Sequence, residues 1–216
     1  MLMKSRCQVL CVLAFGLGSV LFALTAHRPS WLVLRGMSLV LATTAVAVGW
    51  SCMVDPIRTT FGRFRHRAVG LKSLVVVGAG IAVAVWYRTF LGTSPFPASL
   101  TWFAVPAAGI GATEEILWRG WMQGSLAASL GSWRAAIVSA VAHAAYKSAL
   151  FAFPPANVVG HRPEVILVIG ILTFCFGVGL GGFRAREGSV IPPIIAHAVF
   201  DVLVYGDQPA APWWVG

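Results

Sequence analysis

At 216 residues, 58% hydrophobic and only 11% charged, the chain has a mean hydropathy of +0.81. A soluble domain carries about 25% charged residues, so this composition excludes a soluble globular protein and leaves little room for a separate soluble domain. The expected fold is an all-α, polytopic membrane helix bundle of about seven transmembrane helices.

The net charge of +9 is concentrated at Arg58, Arg63, Arg65, Arg67 and Lys72. Such a run reads as a cytoplasmic membrane loop under the positive-inside rule, not as a nucleic-acid surface.

Lys4 and Arg6 precede an apolar run from about Val9 to Ala26. It is longer than the apolar core of a signal peptide and lacks an Ala-x-Ala end, which predicts a retained first transmembrane helix. A second span covers about Trp31 to Val54, with Arg35 close enough to one end to snorkel; the basic loop follows. A third covers about Leu71 to Leu91, closed by the Pro95-Phe96-Pro97 loop. The fourth helix, about Ser99 to Leu130, is too long for a perpendicular span, so it tilts, breaks near Pro106 to Gly111, or runs past the membrane. The fifth span, about Arg134 to Phe153, stops at Pro154-Pro155. A sixth covers about Glu164 to Phe183, and the loop Arg184 to Gly188 leads to a seventh, about Ser189 to Tyr205.

Residues 1–98 thus form the N-terminal helices and basic loop of a single transmembrane domain, and residues 99–205 its chemical core. With the N-terminus inside, Lys4, Arg6, the basic loop, Arg134, Arg184 and Arg186 are cytoplasmic, against Arg28, Arg35, Arg88 and Arg162 outside. That asymmetry fits a cytoplasmic N-terminus, and the Ala/Gly/Val/Arg-rich usage points to a bacterial inner membrane. Trp31, Trp50, Trp133, Trp213 and Trp214 sit at span ends as interfacial anchors. Gly120-x-x-x-Gly124 and Gly177-x-x-x-Gly181 mark close helix approaches. Cys7, Cys11, Cys52 and Cys175 lack paired spacing and read as small apolar residues, not as a disulfide framework.

Within the later spans the ionisable residues fall on three helices: Glu114, Glu115 and Arg119; His143 and Lys147; His197 and Asp201. A charge at the bilayer centre costs roughly 2.5–3.5 kcal/mol on insertion scales, so the cluster reads as a functional site. His143 and His197 lie about 14 and 12 Å from the inner ends of their helices, and Glu114 about 24 Å from its own, so a tilt or extension must bring it level. Glu115 and Arg119 are i,i+4 and form a natural ion pair, with Glu114 turned about 100° away for other work. His197 and Asp201 are also i,i+4, which lets the carboxylate fix the imidazole's tautomer or charge. Lys147 reads as a snorkelling residue near a helix end, or else as a charge partner for Asp201 or substrate. The histidines and carboxylates have the donor types for zinc, but the His-Glu-x-x-His pattern of helix-borne zinc hydrolases is missing, so no metal and no other cofactor is expected.

The order Glu114-Glu115-x-x-x-Arg119, then His143, then His197-x-x-x-Asp201, resembles the CPBP family over about residues 99–205. These are the CAAX prenyl-protease and bacteriocin-processing (Abi-type) proteins, glutamic-type intramembrane endopeptidases. The resemblance implies that Glu114 activates a water that His143 helps to hold, that Glu115 and Arg119 organise the site, and that His197, with Asp201 beside it, stabilises the oxyanion. Two positions depart from the family pattern. Ser139 stands where an aromatic residue usually precedes the histidine by four, and Asp201 stands where Asn is usual.

The implied substrate is a membrane-associated protein or peptide carrying a prenylated tail, a leader or a C-terminal anchor. A proton-coupled transporter would use the same residue types as a relay, but transporters show paired halves and here the polar residues sit only in later helices. An inactive membrane scaffold or immunity protein is the third reading, disfavoured by intact Glu114, His143 and His197.

Overall fold

The computed structural model describes residues 2–26, 28–62, 70–152 and 163–208. Arg63, Arg65 and Arg67 of the basic loop, the Pro154-Pro155 stop, Arg162 and the Trp213-Trp214 anchors lie outside these residues. In chain order the helices are α1 (Leu2–Thr25), α2 (Leu32–Ser51), α3 (Pro56–Phe61), α4 (Leu71–Phe90), α5 (Ala104–Glu115), a π-helical segment (Ile116–Met122), α6 (Gln123–Leu130), α7 (Ser132–Ala152), α8 (Pro163–Glu187) and α9 (Ile191–Tyr205). The protein is therefore an all-α membrane bundle. Among the described residues, five stretches are long and apolar enough to cross a membrane: Arg6–Thr25, Leu32–Ser51, Leu71–Phe90, Ser132–Ala152 and Glu164–Glu187. A count of seven rests in addition on the composite α5–α6 helix and on the 15-residue α9.

Packing follows the rule for helices in lipid, where small residues face protein and large apolar ones face out. On α2 the buried positions are Ser38, Ala42, Ala45 and Gly49, while Leu32, Val33, Met37 and Val40 are exposed. Gly18 of α1 meets this seam: a Cβ there would stand 2.9 Å from Ala42 N and Ser38 O. Phe15 of α1 packs on Trp118 and Trp121, with ring centroids 5.0 and 5.3 Å apart. Cys7 and Cys52 are not joined in a disulfide, but their sulfurs lie 2.7 Å apart, bringing the start of α1 to the end of α2.

The fourth predicted helix does not break near Pro106 and begins at Ala104, not Ser99. Pro106 falls in the first turn, where its missing N–H has no carbonyl to serve. The chain then runs on through the wider π turns into α6.

The basic loop contains α3, which the sequence reading did not anticipate. Asp55 caps it, its Oδ1 accepting from Arg58 N at 2.9 Å, with proline in the first turn. This short helix explains Gly120 and Gly124, which abut Thr60 and Thr59 of α3 and admit it beneath the composite helix, not another span. Gly177 and Gly181 instead meet Ala140 and Ala136, seating α8 on α7.

Candidate active site

Two helix crossings assemble the site. α9 lies between α4 and α5, and both contacts are made at glycines. A Cβ at Gly80 would stand 2.7 Å from Ala196 O, and one at Gly111 would stand 2.7 Å from Asp201 Oδ2 and 3.0 Å from His197 O. Only backbone this close lets the carboxylates at the end of α5 reach His197, one turn deeper in α9.

Glu114, Glu115, Arg119, His143, His197 and Asp201 are all buried and form one polar cluster. Glu115 Oε1 lies 3.1 Å from Arg119 Nη1, so the i,i+4 pair forms although the π segment starts between them. Arg119 Nη1 also donates to His143 Nδ1 at 2.6 Å. A guanidinium only donates, so this contact makes Nδ1 the acceptor and puts the His143 proton on Nε2. That Nε2–H donates to Glu114 Oε2 at 3.0 Å. His197 Nδ1 donates to Glu115 Oε1 at 2.8 Å.

The remaining nitrogen of His197, Nε2, stands 3.7 Å from Glu114 Oε2 and 3.8 Å from Asp201 Oδ1. Both separations exceed hydrogen-bond length, so Nε2 makes no direct hydrogen bond to either carboxylate. The site thus consists of a closed half, Glu115–Arg119–His143, and a half that opens onto space, Glu114–His197–Asp201. In the closed half Glu115 Oε2 and Arg119 Nε are buried without a hydrogen-bond partner among the described residues. Such orphaned groups are uncommon in a purely structural network.

Three cavities converge here. An apolar groove of about 940 Å³ between α1, α2 and α5 includes Phe15, Val46, Ile110, Leu117 and Glu114 in its walls. A second of about 440 Å³ is bordered by Glu114, Lys147, Asp201, Arg35 and Tyr205. A third of about 50 Å³ touches Arg119, His143, Lys147, His197 and Asp201. A water needs a polar space of only about 10–15 Å³ with two or more partners.

Lys147 departs from the snorkelling expectation. It turns inward, and its Nζ lies 2.5 Å from Glu114 Oε1. One helical turn beyond His143, it shares that residue's face, and this spacing was the available signal for its role. Glu114 is accordingly held by Lys147 on one oxygen and His143 on the other. Arg35 lies near a span end as expected, but its Nη1 donates to Ala26 O at 2.6 Å.

The two departures from the family pattern have local accounts. Ser139 Oγ donates to Trp118 O at 2.5 Å, tying α7 to the π segment. The aromatic face against His143 comes from Trp118, stacked at 5.1 Å and 21°. Tyr146 adds a second ring at 6.4 Å. At the other position, Glu115 and not Asp201 makes the short contact to His197.

The type II CAAX prenyl endopeptidase Rce1-like family model matches residues 94–203, which contain every residue of this cluster. Among curated proteins and solved structures nothing matches the chain.

Proposed function

The chain belongs to the type II CAAX prenyl endopeptidase Rce1-like family, and from that premise we propose that it hydrolyses a peptide bond in a membrane-associated protein or peptide with a water activated by Glu114. The family makes it a membrane-embedded peptide hydrolase; the glutamic mechanism is our reading. The observation that carries it is the convergence of Glu114, His143, Lys147 and His197 from three helices at the meeting of the cavities.

In this reading the water sits beside Glu114 Oε2 and His197 Nε2, off the 3.7 Å line that joins them and on the side of His143 Nε2–H. Glu114 takes its proton as the water oxygen bonds to the scissile carbonyl carbon. His197, held at Nδ1 by Glu115, acts in its doubly protonated form and offers Nε2–H to the oxyanion, with Asp201 on the same side. Preorganised donors in a dry site contribute several kcal/mol to such stabilisation. Glu114 then passes the proton to the departing amine as the C–N bond breaks. Arg119 orients both Glu115 and His143, and Lys147 balances the charge of Glu114.

The apolar groove between α1, α2 and α5 suits a substrate that brings an apolar segment with it: a prenylated tail, a leader or a C-terminal anchor. The same reading puts the protein in a bacterial cytoplasmic membrane with its N-terminus inside.

The test is a comparison of the N- and C-termini of host membrane and secreted proteins in cells making the wild type or Glu114→Gln at equal, folded levels. A protein that keeps its tail or leader only in the variant identifies both activity and substrate. Identical termini, with candidate substrates expressed, sink the reading in favour of a transporter or scaffold.

A further inference from the structure

A second polar cleft, of about 550 Å³, opens between α3, α6 and the end of α8, away from the carboxylate cluster. Arg58, Arg184 and Arg186 line it, with Glu187, Gln123 and Gly124. The only carboxylate among these residues is already engaged, Glu187 Oε1 taking Lys72 Nζ at 2.8 Å. The cleft is therefore net positive.

Its floor holds two polar side chains that the fold buries without fully satisfying them. Arg184 is 8% exposed. Its Nη2 clamps Thr59 O and Thr60 O at 2.5 and 3.3 Å, while its Nε has no partner among the described residues. Gln123 is 1% exposed; its Nε2 donates to Gly181 O at 2.9 Å, and its Oε1 has no partner among the described residues. A Cβ at Gly124 would reach within 2.9 Å of Arg184 Nη2, so glycine keeps this corner open.

The guanidinium groups call for an anionic acceptor, and a phosphate supplies one. Depth narrows the choice further. The cleft sits where α8 ends a membrane-crossing stretch at Glu187, the level of lipid headgroups.

We propose that this cleft binds a phosphate, as the headgroup of an anionic phospholipid or as free phosphate. The site stands apart from the peptidase reading and does not depend on it.

The test uses the delipidated full-length chain in detergent, titrated with phosphatidylglycerol, phosphatidylcholine or inorganic phosphate and followed by native mass spectrometry and thermal melting. The probe variant is Arg58→Gln/Arg186→Gln. Both residues are exposed, so the fold should survive, which an unchanged Tm without lipid verifies. Selective retention of phosphatidylglycerol, weakened about 30-fold in the variant, assigns a headgroup site. A rise in Tm with millimolar phosphate that the variant loses, without lipid selectivity, assigns a free-phosphate site. Equal retention of both lipids with no phosphate response, or phosphatidylglycerol binding unchanged in the variant, overturns the proposal.

Discussion

At the scale of single residues, Glu114 is fixed by a lysine on one oxygen and a histidine on the other. A base held so firmly depends on both partners for its aim, and a misplacement of about 1 Å can cost 10²-fold in rate. Lys147→Met should therefore lower kcat by about 10–100-fold with the fold retained, while Lys147→Arg should recover part of the loss; a steady-state assay on the substrate found by terminal comparison checks this. Asp201 behaves differently. Its nearest contact to His197 is 3.8 Å, too long to be a hydrogen bond that substitution would break. Asn has nearly the same volume and keeps an acceptor while adding a donor. Asp201→Asn should keep activity within about tenfold of wild type, and total loss in a well-folded variant would count against the family-like role of this position, where Asn is usual. Periodicity within one helix made the Glu115–Arg119 pair legible in the sequence. The Lys147–Glu114 and His197–Glu115 contacts were not, because they depend on how separate helices rotate against one another.

At the scale of elements, glycine decides which helices touch. The sequence marked Gly120, Gly124, Gly177 and Gly181 as points of approach, but could not name what approaches. For the first two it is α3, a six-residue helix too short to register as a periodic pattern. Gly111, which carries no such spacing, turns out to set the distance between the carboxylates and His197. Gly111→Val would force α9 off α5, at about 1–3 kcal/mol of overpacking, and should lower activity more steeply than stability. Gly78 of α4 is the control, since nothing lies within 4 Å of a Cβ built there. Gly78→Ala should leave activity intact and raise stability by up to about 1 kcal/mol. Melting temperature and peptidase rate on the two variants separate an effect of the crossing from a general effect of losing a glycine. The π segment belongs to this scale as well: no residue preference distinguishes its i→i+5 turns from α-helix in a sequence, and its place is evident only in the structure, where its own Trp118 and Arg119 are buried.

At the scale of the whole molecule, composition alone made the membrane bundle legible, because so few charges in so apolar a chain leave no other class. How α9 is anchored was not legible, since it joins residues far apart in sequence. Arg88, expected near an outer span end, is 4% exposed. Its guanidinium donates to Ser94 O, Leu203 O, Val204 O and Asp207 Oδ2. It places a cation on the last carbonyls of α9, where the helix dipole favours one, and so holds the helix that carries His197 and Asp201. The Arg88 hydrogen bond keeps the Asp207 carboxyl below the usual Asp range. A depressed folded-state pKa gives stability that is fully present above the unfolded value, about 4, and lost as pH falls through the lower folded value. Asp207→Asn should then cost about 1 kcal/mol at neutral pH, a modest figure because the side chain is 23% exposed and partly screened. That corresponds to about 2–4 °C in Tm. The gap between wild type and variant should close as pH drops below about 4. A gap that stays constant across that range would mean that Asp207 contributes packing alone, and that Arg88 holds α9 through its carbonyl contacts without help from the carboxylate.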